Sequence, residues 1–520
     1  MKVAFRVDAS NAIGTGHVIR CITLAKLFKE RGADIQFICR PHEGNLSELI
    51  RKNNFNTKLL SQSNTINKEK NSGDNYSNLL GVSQTRDAEE TIESIKNQKL
   101  DWLIIDNYAL DYKWESLLSS YSKNLMVIDD LPSRKHTCNL FLNHNYTKST
   151  IKDYKNFLSK DSKILLGPKY ALLSSEYTNL RKKFLNRSNN QISNILLSLG
   201  GSDNENITSF VIDVLTEPEF FHLKLDVVIG MNNKNKEIIL KKTHKRPNTF
   251  IHEKLSSIAP LIMNADLCIG AGGLTTWERI CLAVPSLVFC VSQNQKPAFE
   301  LLLKKGLIQS AGTALNLNKN ELKNKIINIM NNSSSIFQKA LKAQSYVDGF
   351  GANRVVETIY PSKKNNLTIR EACDSDIFTY FNWTNDPSAR SSAFNSNTID
   401  IEEHQTWYKK QLNDSNSYLF VLEANRLPVG QIRFNCIGEK AFIDYSLDEF
   451  VRNRGWSEQL IRLGVNRLHT SRPSIINAEV KSDNTKSISV FSRLGFDKKF
   501  TNKDKHLFVI SSKKLISANI

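Results

Sequence analysis

The 520-residue chain is 40% hydrophobic and 23% charged, a soluble globular composition, and its length exceeds one ordinary core, so three domains are expected. No apolar run reaches about 18 residues, which excludes a membrane-spanning helix, and the first strand starts at Lys2, which leaves no room for a signal peptide, so a cytoplasmic protein is expected. The net charge of +18 is spread along the chain without a dense basic block or a nucleic-acid motif; the expected partners are phosphate-bearing small molecules, with neither nucleic acid nor membrane.

The run "KVAFRV" (2–7) reads as a strand, and Val18, Cys21, Ile22, Ala25 and Phe28 after it recur at helical spacing, with Gly32 placed as a helix C′ glycine. Gly14 and Gly16 therefore fall in a strand-to-helix turn, where missing side chains let a ligand approach and helix amides face an anion. His17 points into the same opening. A plain glycine turn with an early helix histidine serves the local sequence as well. Further apolar runs, "DIQFIC" (34–39), "DWLIID" (101–106), "NLMVIDD" (124–130) and "NLFLNHN" (139–145), alternate with helical stretches and predict a parallel sheet. The polar segment 61–78 reads as a surface loop.

A second alternating series begins at "SNILLSLGGSDNEN" (193–206) and continues through "KLDVVIG" (224–230), "NTFIHE" (248–253), "ADLCIGAGG" (265–273) and "PSLVFCV" (285–291). It carries two more glycine turns, Gly200-Gly201-Ser202-Asp203 and Gly272-Gly273-Leu274-Thr275. Free amides at Gly273 and Leu274 with the Thr275 hydroxyl make a diphosphate cradle, and Glu278, one turn into the helix, is placed to accept from ribose hydroxyls. Tight turns closing helices onto a sheet account for either pair alone; three turns at strand ends favour a nucleotide. Two such series predict twin Rossmann-like domains, 1–180 and 190–358, facing a cleft. The eight cysteines are scattered without zinc spacing, and neither disulfides nor a metal is expected.

These residues carry a resemblance. "GAGGLTTWERICLAVP" looks like the UDP-binding signature of GT-B nucleotide-sugar enzymes. "FRVDASNAIGTGHVIRC", "GVSQTRDAEETI", "DWLIIDNYALD", "VIDDLPSRKHTCNLFLNHN", "LLGPKYALLSSEY", "LSLGGSDNEN" and "VSQNQKP" follow in the order found in the UDP-2,4-diacetamido-2,4,6-trideoxy-β-L-altropyranose hydrolases of pseudaminic acid biosynthesis. The resemblance implies a GT-B-type pair of domains and inverting hydrolysis to UDP and free sugar. It makes His17 the base that activates water, which suits a side chain titrating near neutrality. It places Gly14, Gly16, Gly201, Ser202, Gly273, Leu274, Thr275 and Glu278 around the substrate, and Tyr108, Asn294 and Gln295 along the sugar.

After the linker "YPSKKNN" a new pattern starts, and 366–520 has the size of an independent domain with a mixed sheet. Trp383, Arg390, Phe394, His404 and Trp407 lie among helix formers, His404 and Trp407 reading as core or substrate wall. "RNRGWSEQLI" resembles the pyrophosphate loop of GNAT N-acetyltransferases, with Ser457 in place of the last small residue, and "NTKSISVFSRLGF" matches that family's second signature. The resemblance implies an α+β fold with acetyl-CoA as co-substrate. Arg452, Gly455, Ser457, Asn484 and Ser487 would hold the coenzyme, while the strand ending at Ser446 and Leu447 splays from its neighbour and pairs with pantetheine amides. Many members carry a tyrosine where this chain has Phe491, so the general acid stays unassigned.

The leading expectation is a bifunctional enzyme that N-acetylates a UDP-4-amino-4,6-dideoxy sugar and then removes UDP. The alternatives are a GT-B glycosyltransferase and a C-terminal module that senses acyl-CoA without catalysis. The sequence leaves sugar stereochemistry, acyl group and oligomeric state open.

Overall fold

The five apolar runs of the first third become strands β1 (Lys2–Val7), β2 (Asp34–Cys39), β4 (Trp102–Asp106), β5 (Leu125–Ile128) and β6 (Leu140–Asn143), and β3 (Asn56–Leu59) and β7 (Lys163–Leu166) join them. The computed structural model describes residues 1–62, 76–131, 134–184, 191–468, 474–501 and 503–517, so most of the segment 61–78 expected as a loop lies outside the described residues. The chain divides into two units, Met1–Val356 and Glu357–Ile520.

The first unit holds two sheets. Strand order in one is β3-β2-β1-β4-β5-β6-β7, with every pairing parallel. The other contains β8 (Asn194–Ser198), β9 (Lys224–Ile229), β10 (Thr249–Glu253), β11 (Leu267–Ala271), β12 (Ser286–Cys290) and β13 (Gln309–Thr313), ordered β10-β9-β8-β11-β12-β13 and again parallel. Central strands are buried along nearly their whole length because helices cover both faces, which is why they read as continuous apolar runs. In each sheet the winding direction reverses beside the first strand, at β1/β4 and at β8/β11, and a crevice opens there at the carboxyl ends.

The helix Gly16–Glu30 follows β1. It buries Val18, Cys21, Ile22, Leu24, Ala25 and Phe28 against the sheet, where Phe5 stacks on Phe37 with ring centroids 4.9 Å apart. Truncating a buried phenylalanine such as Phe28 costs about 3–5 kcal/mol. The helix stops at Gly32, whose φ of +79° is the left-handed geometry a C′ residue adopts. Strand β3 was not anticipated: as an edge strand reading NTKL it has no buried residue, so it lacks the apolar signature and is held by backbone pairing to β2.

The second unit carries one mixed sheet of β14 (Leu367–Glu371), β15 (Ser417–Ala424), β16 (Leu427–Ile437), β17 (Lys440–Leu447), β18 (Ile475–Lys481), β19 (Asp497–Thr501) and β20 (Lys505–Ser511). Their order is β14-β15-β16-β17-β18-β20-β19, antiparallel except for β17 with β18. That one parallel pairing spans only Lys440↔Ile475 to Phe442↔Asn477, although β17 runs on to Leu447 and β18 to Lys481. Beyond Phe442 the two strands part.

Candidate active sites

A buried ion network underlies the carboxyl end of β1. Arg6 grips Asp87 through Nε (3.0 Å) and Nη2 (2.6 Å) and reaches Asp8 at 2.7 Å, while Arg40 Nη2 donates to Asp87 at 2.7 Å. Burial alone would raise the Asp8 carboxyl, but Arg6 and His42 bring it well below the usual carboxylate range. The stretches "FRVD" and "QTRDAEE" are thus two halves of one structural clamp. Breaking a buried pair of this kind by removing one partner costs about 3–5 kcal/mol.

Above the clamp, Gly14 adopts φ +84° and turns the chain into the helix that begins at Gly16. His17 is buried, with Nδ1 2.6 Å from Oδ1 of Asp106, the last residue of β4. Arg20, one turn along, bonds the same carboxylate through Nε at 2.6 Å and Nη2 at 2.5 Å. Burial would raise Asp106, yet the charge of Arg20 and the hydrogen bonds from Arg20 and His17 outweigh it and hold the carboxylate well below its ordinary range. An ionised Asp106 accepts the Nδ1 proton and leaves Nε2 of His17 with a free lone pair, the tautomer of a general base.

The sequence points to His17 but assigns no role to Asp106 or Arg20. The signal was present in "WLIID", a buried strand ending in a carboxylate. His144, at the end of "NLFLNH", carries the same signal. It is buried, its Nδ1 has no hydrogen-bond partner, and burial beside Arg20 pushes it down to about 3, so it is neutral.

Tyr108 sits edge-on to His17, with ring centroids 4.7 Å apart, and donates to Asp130 Oδ1 at 2.5 Å. From the second sheet, Asn294 Nδ2 lies 3.5 Å from the Tyr108 hydroxyl. Trp277 Nε1 donates to Asn145 at 3.1 Å, and Asn145 in turn bonds Asp130. The Gly14–Gly16 turn meets the Gly200–Gly201 turn so closely that a Cβ on Gly201 would stand 2.8 Å from the Thr15 side chain. Gln295 packs on the third turn, 2.8 Å from where a Cβ of Gly272 would be, and Gly273 at φ +94° leads into the helix Leu274–Cys281. Leu274 and Thr275 open that helix without a side-chain cap, so its first amides are free.

Not every expected residue is placed at this surface. Ser202 is half-buried beside Gly201, and the neighbouring Asp203 caps the helix Ile207–Leu215 through the amides of Ile207 and Thr208, both at 2.9 Å. Glu278 is buried; the Tyr177 hydroxyl bonds its carboxyl, Oε2 lacks a partner, and burial pushes it up to about 7. An orphaned buried oxygen of this kind calls for a donor. Among the described residues, no group of three or more His, Cys, Asp or Glu side chains is arranged to hold a metal ion.

In the second unit a cavity of about 950 Å³ opens where β17 and β18 part. Its lining includes Ser446, Leu447, Arg452, Gly455, Ser457 and Asn484. Gly455, at φ +70°, leads into the helix Trp456–Leu468, and Arg452 bridges Leu447 O (3.1 Å) and Asp386 (2.7 Å). Asn484 caps the helix Thr485–Arg493 by accepting from Ser487 N at 3.1 Å. Phe491 is buried against Tyr445, while Trp383, His404 and Trp407 form another part of the wall. The parted strands leave backbone groups unpaired and the helix start offers amides, so the cavity suits an extended amide-bearing chain that ends in phosphate.

Residues 366–497 match the family model of the acetyltransferase (GNAT) domain. Over 96% of its length the chain is 25% identical to an uncharacterised protein of Methanocaldococcus jannaschii, covering 97% of that protein. It is also 27% identical over 310 residues, 59% of this chain and 97% of the relative, to the UDP-2,4-diacetamido-2,4,6-trideoxy-beta-L-altropyranose hydrolase of Campylobacter jejuni. Among solved structures, spermidine N-acetyltransferase from Vibrio cholerae, in complex with CoA and spermine, is 20% identical and aligns with a TM-score of 0.27 over 29% of this chain and 99% of that one. Among the described residues, no helix is long and apolar enough to cross a membrane. One polypeptide thus joins a homologue of UDP-2,4-diacetamido-2,4,6-trideoxy-altropyranose hydrolases, one of them named also for the pseudaminic acid pathway, to a GNAT acetyltransferase domain.

Proposed function

We propose that the two units act in succession on one nucleotide sugar. The C-terminal unit transfers acetyl from acetyl-CoA to the 4-amine of a UDP-4-amino-4,6-dideoxy sugar. The N-terminal unit then hydrolyses the UDP-2,4-diacetamido-2,4,6-trideoxy sugar with inversion. The observation that carries the second step is the His17–Asp106 pair, 2.6 Å apart at the β1/β4 crevice, with the glycine turns of the other sheet beside it. Nε2 of His17 takes a proton from water, the water oxygen attacks the anomeric carbon, and the bond to the UDP oxygen breaks with its electron pair leaving on UDP. UDP leaves as a stabilised anion, so its departure needs amide dipoles more than a strong acid. Those come from Gly273 and Leu274 with the Thr275 hydroxyl, while Glu278 takes the ribose and Tyr108, Asn294 and Gln295 line the sugar. In the C-terminal unit, the diphosphate of coenzyme A rests on the amides from Gly455 to Ser457 beside Arg452, and pantetheine pairs with the parted β17 at Ser446 and Leu447.

The test is mass spectrometry of products after mixing the whole chain with acetyl-CoA and the UDP-amino sugar. Expected are gain of one acetyl group, then UDP and free diacetamido sugar in equal amounts. Transfer of the sugar to an added acceptor instead of water would make the first unit a glycosyltransferase, and absence of coenzyme A release would leave the second as a binding module.

A further inference from the structure

The acetyl transfer just described needs a proton for the departing thiolate, and Phe491 has none to give. Three titratable side chains of the aromatic and imidazole type line the cavity among the described residues: Tyr380, His404 and Tyr445. Two are committed. The Tyr380 hydroxyl donates to Phe420 O at 2.9 Å, and its ring is wholly buried. His404 Nε2 lies 3.0 Å from Ile377 O, and burial pushes the imidazole down to about 4, so it is neutral with its proton facing a carbonyl.

Tyr445 differs. It sits on β17 three residues beyond Phe442, the last residue still paired with β18, and one residue before Ser446. Its hydroxyl meets Ser487 Oγ at 3.3 Å, a long contact to a rotatable hydroxyl that itself lines the cavity, and Ser457 is also within its reach. The ring is fixed edge-to-face against Phe491, with centroids 5.8 Å apart. We propose that Tyr445 is the proton donor to the thiolate of coenzyme A, acting from the strand that holds pantetheine. This inference rests on the acetyltransferase reading above. Burial raises the phenol above its ordinary value, which keeps it protonated through the neutral range.

In the step itself the amine nitrogen attacks the thioester carbonyl carbon, a C–N bond forms, and the C–S bond breaks with the pair going to sulfur. The phenolic proton moves to sulfur, giving free coenzyme A. The surplus proton of the amine passes to water, and the phenolate regains a proton from solvent through the Ser487 and Ser457 hydroxyls.

Coenzyme A release from acetyl-CoA and the UDP-amino sugar is measured for the full chain and for Tyr445→Phe. Calorimetric binding of coenzyme A reports that the unit is folded. The expected result is a fall in kcat of about a hundredfold, within the range of a lost general acid, with KM for acetyl-CoA changed less than threefold. The double variant Tyr445→Phe with Phe491→Tyr returns a phenol to the same aromatic pair and is expected to recover at least tenfold. A Tyr445→Phe chain within threefold of wild-type kcat, a rise in KM alone, or a loss that the double variant leaves untouched while coenzyme A still binds would each overturn the assignment. If the wild-type chain itself released no coenzyme A, the acetyltransferase reading would fail instead.

Discussion

Replacing Asp106 by asparagine tests the hydrolytic site through a residue 89 positions away in sequence from the base. The substitution keeps the shape of the side chain but exchanges one oxygen for an amide donor. In the structure Oδ1 and Oδ2 together receive Nδ1 of His17 and two nitrogens of Arg20. Arg20 has only donors, so the remaining amide oxygen is drawn to the guanidinium and the NH2 group turns to His17. Nδ1 must then accept, the imidazole proton moves to Nε2, and the nitrogen facing the crevice no longer takes a proton from water. Loss of a general base costs about a hundred- to ten-thousand-fold in turnover, which is about 3–5 kcal/mol of transition-state stabilisation. Separately, a buried Arg20 deprived of its charged partner destabilises the fold, by up to about 3–5 kcal/mol. UDP release under saturating substrate and urea unfolding read the two effects, and calorimetry with UDP is expected to show near-wild-type affinity. His17→Ala should match the kinetic loss without the stability loss of the arginine. An Asp106→Asn chain that turns over within tenfold of wild type would refute the tautomer argument.

Three more outcomes follow from single positions. His136 is buried between Glu115 and Asp129, at 2.6 and 3.1 Å; burial lowers it, but these two carboxylates win and raise it to about 9. Its folded value lies above the unfolded one near 6.5, so its contribution of about 3 kcal/mol is complete below that pH and is lost as pH rises through about 9; a melting temperature that His136→Gln leaves equally pH-dependent would contradict this. Glu278→Ala is expected to weaken UDP binding about two- to tenfold, the worth of an ordinary hydrogen bond, with little change in kcat, and unchanged calorimetric affinity would make Glu278 a structural partner of Tyr177 alone. Gly455→Val forces a branched side chain into φ +70° beside the helix amides, and should abolish acetylation while pre-acetylated UDP sugar is still hydrolysed; loss of both activities in a folded chain would show that the two units share a site.

The amino-acid pattern alone was enough for the buried strands and the helix after β1. Buried parallel strands must be apolar on both faces, and Val18, Cys21, Ile22, Ala25 and Phe28 must share one face to reach the sheet. The three glycine turns were equally legible, since positive φ at Gly14, Gly200 and Gly273 is steeply disfavoured for other residues. Edge strand β3 was not, because an exposed strand held by backbone bonds leaves no trace in side-chain type. What tertiary structure alone decided is pairing across the chain. Asp106 stands 89 positions from His17, and Asn294 stands 186 from Tyr108. In the second unit, only the parting of β17 from β18 shows that the phenol beside Phe491 faces the cavity. Local periodicity records which face of an element is dry; the partner of a buried charge is set by how sheets wind, and winding is a property of the whole chain.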